Sequence, residues 1–253
     1  MVQTDASTLR EFGAEMRSSL NARGAGSRLI PLAHHHVDVW NIRLDACSAA
    51  AASILSSQER ERARLIASDI SRRRFVAAKI AVRRILSGYC GVSPACVPLA
   101  DRRFGKPFVR APFSRLKFNL SHAGGRALLA VCTDAEVGID IEKRRQVAAE
   151  SIAGSWLHDG ERDDLVRLSG GRRLAAFFRL WCRKEAVSKA HGSGLRIGFH
   201  RFRVSASQAC AAVLSWPEGA PPWRLYDLRS DGPFVAALAL DRPVNRIHYR
   251  DFA

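Results

Sequence analysis

The stretch VGIDIEK, residues 137–143, alternates apolar and charged side chains. This period of two predicts a β-strand. Successive side chains on a strand point to opposite faces, so Ile139 and Ile141 share one face while Asp140 and Glu142 share the other. The strand therefore places two carboxylates side by side.

These paired carboxylates have two interpretations. Unit charges about 6 Å apart repel by roughly 3 kcal/mol at an effective dielectric constant of about 20, so a sheltered pair needs a cation, a shared proton or water. Mg²⁺ meets this need, because it takes oxygen ligands from one or two carboxylates together with substrate phosphates. The alternative is an exposed strand face whose charge is neutralised by the basic residues at positions 143–145.

Predicted helices and strands surround this strand in a repeated order. Ser56 and Glu59 form a capping-box pattern that opens a helix, and a second helix over about 71–89 ends at Gly91. Helical patterns return between about 148 and 191. Strands are predicted over residues 37–44, 117–120, 127–132, 202–205, 223–228, 234–240 and 247–249. The order strand, helices, strands occurs twice, which favours an α+β chain of two similar halves.

The chain is predicted to divide into three segments. Residues 1–29 are rich in Ser, Ala, Gly and Arg with weak periodicity, which indicates a loosely ordered N-terminal arm. Residues 30–134 and 135–253 form the two halves, and the second half carries the strand with the paired carboxylates.

A second charged cluster lies in the helical region. Trp181, Glu185 and Lys189 recur at four-residue intervals, so they line one stripe of a helix. An exposed Glu–Lys pair of this kind contributes only about 0.3–0.5 kcal/mol. The neighbouring aromatic pair at 177–178 indicates instead that the stripe lies close to the apolar interior.

Composition excludes several classes of protein. A chain of 253 residues, 47% hydrophobic and 25% charged, is typical of a globular protein. No apolar run approaches the roughly 18–20 residues of a membrane-spanning helix, and the first residues lack a secretory signal pattern. We therefore expect a cytoplasmic protein without a membrane partner. The six cysteines form no CxxC pair and no zinc-ligand spacing, and we expect most of them to be buried thiols.

The net charge of +16, from 40 basic and 24 acidic side chains, permits three interpretations. Arginine-rich coding bias explains the count without any function. Attraction to phosphates or to an acidic protein partner is the second. Nucleic-acid binding is the third, but the sequence has no zinc finger, RNP or helix-turn-helix pattern, so we expect no nucleic-acid partner.

Four segments together resemble a known family, the 4′-phosphopantetheinyl transferases, and within it the surfactin-synthetase-activating type. The segments, in the family's order, are FGKP at 104–107, FNLSH at 118–122, VGIDIEK at 137–143, and WCRKEAVSK at 181–189 followed by GSG at 192–194. The resemblance spans roughly residues 37–240. It implies an α+β fold of two pseudo-symmetric α/β halves with the active site in the cleft between them. The length of the chain matches the family's monomeric members.

The resemblance implies a magnesium-dependent transfer. Asp140, Glu142 and Glu185 match residues that surround Mg²⁺, with Mn²⁺ as the alternative ion, on the pyrophosphate of coenzyme A. A serine hydroxyl of an acyl or peptidyl carrier protein, which presents an acidic helix surface, attacks the phosphate bearing the pantetheine arm. Adenosine 3′,5′-bisphosphate then leaves. Glu185 acts as metal ligand, base or both, and Lys189 stabilises or protonates the leaving phosphate.

The resemblance also implies a set of coenzyme A contacts, mainly in the first half of the chain. These residues are Arg62, Arg74, Lys106, Pro107, Ser121, His122, Lys184 and Lys189. The sequence departs from the family at two positions. Glu59 stands where some relatives have lysine, and Ser71 stands where an acidic residue is common.

Two rival functions involve the same residues. Ser121, His122 and Asp140 are the residue types of a hydrolase triad, but no G-x-S-x-G pattern surrounds the serine, and adjacent Ser and His rarely act as nucleophile and base. A catalytically silent module that only binds carrier proteins is disfavoured, because all three predicted metal-binding carboxylates are present.

Overall fold

The computed structural model of this protein describes residues 29–46, 53–217 and 223–252. These residues fall into two compact units. The first unit contains residues 29–31 and 53–98, and the second contains 32–46, 99–217 and 223–252. Apart from Leu29, the predicted N-terminal arm lies outside the described residues. The predicted division of the chain at residue 134 stays a prediction.

The first unit is built on two helices, α1 at Ser57–Arg64 and α2 at Asp69–Cys90. The predicted capping box is confirmed, because the Ser56 side chain accepts from the Glu59 backbone N–H and the Glu59 carboxylate accepts from that of Ser56. Gly91 ends α2 in the left-handed conformation, with φ of 67°. The helix begins two residues earlier than predicted, because Ser68 caps it.

Glu59, which stands where some relatives have lysine, has a structural partner in this unit. Its Oε2 lies 2.7 Å from Nε of Arg83, and both side chains are largely buried. The Arg83 guanidinium also donates to the carbonyl oxygens of Pro94, Ala95 and Val97. Arg83 therefore ties the loop after α2 to both helices of the unit.

The second unit contains all the strands of the described residues. These are β1 His36–Arg43, β2 Leu99–Asp101, β3 Pro107–Val109, β4 Leu116–Ala123, β5 Arg126–Thr133, β6 Val137–Lys143, β7 Arg203–Val204, β8 Val213–Ser215, β9 Arg224–Leu228, β10 Phe234–Leu240 and β11 Arg246–Phe252. One sheet has the order β11-β1-β5-β4 and another the order β6-β10-β9. The pairs β2-β3 and β7-β8 form two small sheets. Among the described strands, β1 and β11 form the only parallel pair.

Three helices complete this unit: α3 at Ala149–Trp156, α4 at Asp159–Val166 and α5 at Gly170–His191. Short 3₁₀ turns follow at Gly194–Ile197 and Phe199–Arg201. The long helix α5 packs across β6 and β10. Its aromatic and aliphatic side chains form an apolar core with the segments that follow it, and Leu180, Phe199 and Phe202 are fully buried there.

The two faces of strand β6 contact different parts of the protein, an apolar core on one side and helix α5 on the other. Ile139 and Ile141 face an apolar core formed with the other strands, as their shared face predicted. On the opposite face, a Cβ atom added to Gly138 would lie 2.1 Å from the carbonyl oxygen of Ala186 and 2.3 Å from the amide nitrogen of Ala190. Only glycine lets α5 approach so closely, and this contact brings the helix over the carboxylate face of β6.

Side chains, rather than a backbone ladder, join β6 to β4. Oδ1 of Asn119 accepts from the backbone N–H of Ile139 at 2.9 Å, and Oγ of Ser121 accepts from that of Ile141 at 3.4 Å. Asn119 and Ser121 are two residues apart and so lie on the same face of β4. They set the position of β6 relative to β4.

The predicted α+β class is confirmed by this mixture of helices and sheets. No helix among the described residues combines the length and the apolar character needed to cross a membrane. The five described cysteines are all free thiols. The expectation that most cysteines are buried is confirmed for the described residues, since Cys90, Cys132 and Cys182 are buried while Cys96 and Cys210 are exposed.

Candidate active site

Strands β4 and β6 and helix α5 bring three polar side chains into direct contact. Nζ of Lys189 lies 2.6 Å from Oδ1 of Asp140 and 2.9 Å from Oγ of Ser121. Oγ of Ser121 in turn donates to the same Oδ1 at 2.8 Å. Asp140 and Ser121 are buried, whereas the Lys189 side chain is 27% exposed. The ammonium group therefore lies at the border between the interior and solvent.

Three carboxylates, those of Asp140, Glu142 and Glu185, interact electrostatically with Lys189. Oδ2 of Asp140 is buried and has no hydrogen-bond partner among the described residues. Glu142, on the same strand face, and Glu185, one turn before Lys189 on α5, are each half buried. No hydrogen bond joins either glutamate to another described residue, although both interact electrostatically with Asp140 and Lys189. The exposed-strand and exposed-pair alternatives do not fit this burial.

Burial and mutual repulsion shift the pKa values in this group. Burial raises the pKa of Glu142, and the Asp140 carboxylate raises it further against the opposing effect of Lys189. Burial also raises the pKa of Glu185, with Lys189 again opposing and the two other carboxylates adding. Burial alone would lower the pKa of Lys189, but Asp140 and Glu185 outweigh it and raise that pKa. The group holds more negative charge than one lysine compensates.

The residues fit a magnesium ion that is completed by other ligands. Among the described ranges, no cluster of three or more His, Cys, Asp or Glu side chains forms a ready metal site, so the predicted three-carboxylate set is not preassembled. Mg²⁺, however, requires only one or two carboxylates and fills its remaining positions with water and substrate phosphates. The unpaired, buried Oδ2 of Asp140 beside Glu142 offers such a pair of oxygen ligands.

Lys106 contacts the C-terminal end of helix α5, the helix that carries Lys189. Its Nζ donates to Oε2 of Glu136 and to the carbonyl oxygen of Ala190, both at 3.0 Å. Arg102 and Lys117 also lie near Glu136, at 3.0 Å and 3.8 Å. Burial lowers the pKa of Lys106, and Glu136 opposes that shift. The cationic groups of Lys106, Arg102 and Lys117 thus surround the Glu136 carboxylate. Lys106 also connects this cluster to Ala190, the residue after Lys189 on α5. Pro107, the residue after Lys106, begins β3.

Lys184 lies in the protein interior, although the family resemblance implies that it contacts coenzyme A. Its side chain is fully buried, and its ammonium lies 2.9 Å from Oε1 of Glu161. It also donates to the carbonyl oxygens of Phe199 and Phe202, at 2.7 Å and 2.5 Å. All three N–H groups are therefore engaged in the interior, and we assign Lys184 a structural role instead.

The remaining predicted residues are His122, Arg62 and Arg74. His122 is exposed and follows Ser121 on β4, so the two side chains point to opposite faces. A Ser–His–Asp triad is therefore not formed. Arg62 on α1 lies over the ring of Phe75 at 5.8 Å, and Arg74 lies on α2, both in the first unit. Their coenzyme A contacts stay predictions, as does that of His122.

Sequence reasoning missed two residues of this region. Asn119 holds the backbone of β6, and its position two residues before Ser121 was the signal, because both must share a face. Glu136 gathers the cations around Lys106. It directly precedes the carboxylate strand, but nothing in the local pattern links it to a lysine 30 residues earlier.

Comparison with known proteins gives consistent similarities. A family model described as the 4′-phosphopantetheinyl transferase superfamily matches residues 136–239. The chain is 35% identical over 217 residues to the 4′-phosphopantetheinyl transferase HetI of Nostoc sp., an alignment covering 83% of this chain and 90% of HetI. It is 25% identical over 191 residues to the 4′-phosphopantetheinyl transferase Sfp of Bacillus subtilis, covering 76% and 84% of the two chains. A crystal structure of Thermotoga maritima holo-acyl-carrier-protein synthase aligns with a TM-score of 0.35 and 23% identity, over 42% of this chain and 61% of that one.

Proposed function

The chain belongs to the 4′-phosphopantetheinyl transferase family, and we propose that it transfers the 4′-phosphopantetheine arm of coenzyme A to a serine hydroxyl of an acyl or peptidyl carrier protein. The proposed reaction depends on Mg²⁺ and releases adenosine 3′,5′-bisphosphate. One observation carries the proposal. The Asp140 carboxylate is buried, its Oδ2 has no hydrogen-bond partner in the described part of the chain, and two half-buried glutamates lie beside it in a segment that the family model matches.

The carboxylates define where the metal would bind. Asp140 and Glu142 would hold Mg²⁺ from β6, and Glu185 faces the same space from α5. A bound Mg²⁺ would draw charge from the phosphoryl oxygens of coenzyme A. The carboxylates repel one another when all are charged. A divalent cation bound between them would relieve this repulsion.

The bond changes follow from the proposed substrate. The carrier serine oxygen forms a bond to the phosphorus that bears the pantetheine arm, and the bond from that phosphorus to the bridging oxygen of the pyrophosphate breaks. Glu185, or a water that it orders, takes the serine proton. Lys189 lies one helical turn after Glu185 and pairs with Asp140, and its ammonium would stabilise or protonate the phosphate that leaves with the nucleotide.

Contacts with coenzyme A are assigned to basic groups at the end of α5. Lys189 belongs to this end of the helix, and Lys106 contacts it by donating to the carbonyl oxygen of Ala190. Pro107, the next residue, fixes the backbone of the turn that carries Lys106. Arg62, Arg74 and His122 remain candidates for the other phosphates.

The net charge supports an acidic partner. A chain with a net charge of +16 attracts a carrier protein through its acidic helix surface, and the attraction weakens as salt screens it. We also propose that the reaction takes place in the cytoplasm, and we assign it to a monomer because the length of the chain matches the family's monomeric members.

The test is a transfer assay with defined carriers. The chain is incubated with Mg²⁺, coenzyme A and a panel of apo-carriers of fatty-acid, polyketide and nonribosomal-peptide type, and each carrier is weighed by mass spectrometry. At least one carrier should gain one phosphopantetheine arm, and its serine-to-alanine variant should gain none. Transfer that persists after chelation and dialysis would overturn the metal assignment, and no transfer to any carrier would overturn the proposed reaction.

A further inference from the structure

We propose that Ser121 is a positioning residue for Asp140. Its hydroxyl, together with Lys189, holds Oδ1 of Asp140 so that Oδ2 remains available for the metal ion. This inference rests on the proposed function.

The hydrogen-bonding capacity of Ser121 is fully used inside the protein. A serine hydroxyl has one donor and two acceptor lone pairs. The donor is directed to Oδ1 of Asp140 at 2.8 Å. The lone pairs receive Nζ of Lys189 at 2.9 Å and the backbone N–H of Ile141 at 3.4 Å. Ser121 is 7% exposed, so all three bonds lie in the protein interior.

The position of this hydroxyl is fixed by the junction between β4 and β6. Asn119, on the same face of β4, accepts from Ile139, and Ser121 accepts from Ile141. These two bonds flank Asp140 along β6. The serine oxygen is therefore held beside the carboxylate by two strands rather than by a mobile loop.

Loss of the hydroxyl changes what Asp140 offers to a cation. With Ser121 present, both donors meet at Oδ1 and Oδ2 has no partner among the described residues. Without it, the carboxylate is free to rotate about its last torsion, and the Lys189 ammonium can bridge both oxygens. A carboxylate neutralised in this way is a poorer metal ligand, since groups that orient metal-binding carboxylates strengthen metal binding.

The test measures metal binding in the absence of coenzyme A. Mn²⁺ is titrated into the full chain and into Ser121→Ala by calorimetry, and we expect the variant to bind Mn²⁺ about 10- to 100-fold more weakly, the usual effect of removing such an orienting group. At saturating metal, kcat for transfer should fall while KM for coenzyme A stays near the wild-type value. Ser121→Thr keeps the hydroxyl and should restore most of the affinity.

Ser188→Ala is the matched control. Ser188 is also buried and donates to the carbonyl oxygen of Gly194 at 2.6 Å, on α5 but away from Asp140. Its removal costs one buried hydrogen bond as well, so both alanine variants should lose similar thermal stability while only Ser121→Ala loses Mn²⁺ affinity. If Ser121→Ala does not fold, Ser121→Cys, which is similar in size but a weak donor, should show the same loss.

Two results would overturn the inference. One is Mn²⁺ affinity in Ser121→Ala that falls no further than in Ser188→Ala. The other is a higher KM for coenzyme A with unchanged Mn²⁺ affinity, which would assign Ser121 to coenzyme A binding instead of to positioning Asp140. Failure of the proposed function is seen separately, because it removes carrier modification by the wild-type chain.

Discussion

Helix α5 carries two lysines five residues apart, and each forms an ion pair with a carboxylate. Lys184 lies 2.9 Å from Glu161, and Lys189 lies 2.6 Å from Asp140. Lys184 and Glu161 have no exposed surface, whereas Lys189 is partly exposed. Both pairs thus join α5 to a neighbouring element, but only one borders solvent.

The two carboxylates differ in how completely they are satisfied. Glu161 accepts from Lys184, from the backbone N–H of Val204 at 2.6 Å and from that of His158 at 3.0 Å. Asp140 has two donors at one oxygen and none at the other among the described residues. A buried polar network whose members are all satisfied specifies structure, whereas a buried oxygen without a partner calls for a further ligand. The comparison separates a structural ion pair from a candidate catalytic one on the same helix.

The pKa values follow the same division. Burial lowers the pKa of Lys184 to about 8, against the opposing effect of Glu161, and burial raises the pKa of Glu161. Burial therefore disfavours the charged form of both Lys184 and Glu161. At Lys189 the carboxylates outweigh burial and raise the pKa. The charged ammonium of Lys189 is thus stabilised where the proposed phosphate chemistry needs it.

Removing the buried lysine should have the largest effect. Lys184→Met leaves Glu161 as an uncompensated buried charge, which typically costs about 3–5 kcal/mol of unfolding free energy. The carbonyl oxygens of Phe199 and Phe202 also lose their donor. Urea denaturation followed by circular dichroism measures this loss. The Lys184→Met/Glu161→Gln double variant should recover much of it, and a single variant as stable as wild type would contradict the structural role.

Asp140→Asn should affect activity rather than folding. The amide keeps the size of the carboxylate but removes its charge, so transfer should fall about 10²- to 10³-fold, the range for losing one preorganised electrostatic group. Carrier modification at saturating coenzyme A and Mg²⁺ gives the rate, and circular dichroism checks the fold. An active variant, or wild-type activity that a chelator does not reduce, contradicts the metal role of Asp140.

Gly138 tests whether the close approach of α5 supports both lysine sites. Gly138→Ala places a Cβ against the backbone of Ala186 and Ala190, so we expect a loss of about 1–3 kcal/mol in unfolding free energy together with lower kcat. Gly154→Ala on α3 is the control, because no atom lies within 4 Å of an added Cβ there. It should stabilise the chain by about 0.4–1 kcal/mol. Equal effects of the two substitutions would rule out the close contact.

The smallest effects are expected from the surface charge. KM for the carrier should rise between low and physiological ionic strength at constant free Mg²⁺, while kcat hardly changes, because salt screens long-range attraction. A single exposed substitution such as Arg229→Ala should change this KM only slightly, since isolated surface charges contribute about 0–1 kcal/mol. A flat KM with a falling kcat would contradict docking by charge and leave the surface arginines outside carrier binding.

The sequence predicted those features of the site that depend on local periodicity. Alternation along residues 137–143 brought Asp140 and Glu142 to one face, and four-residue spacing brought Glu185 and Lys189 to one stripe. The strand, the helix and their burial agree with both predictions.

The features that the sequence left out depend on tertiary contacts. Lys184 precedes Glu185 in the same motif, yet one residue on a helix turns the side chain by about 100°. That rotation points Lys184 into the interior toward Glu161, 23 residues earlier, and no local pattern reveals the partner. The motif around Ser121 likewise implied a coenzyme A contact. Its hydrogen bonds to Asp140 and Lys189 became visible only in the structure.

One paired measurement tests the division between the two lysines most directly. Unfolding free energy and kcat are determined for Lys189→Met, for Lys184→Met and for the Lys184→Met/Glu161→Gln double variant. Lys189→Met should lose less stability than Lys184→Met and lose transfer by about 10²- to 10³-fold. The double variant should fold and retain the wild-type kcat. A double variant that folds but does not transfer, beside a Lys189→Met variant that transfers normally, would contradict the account.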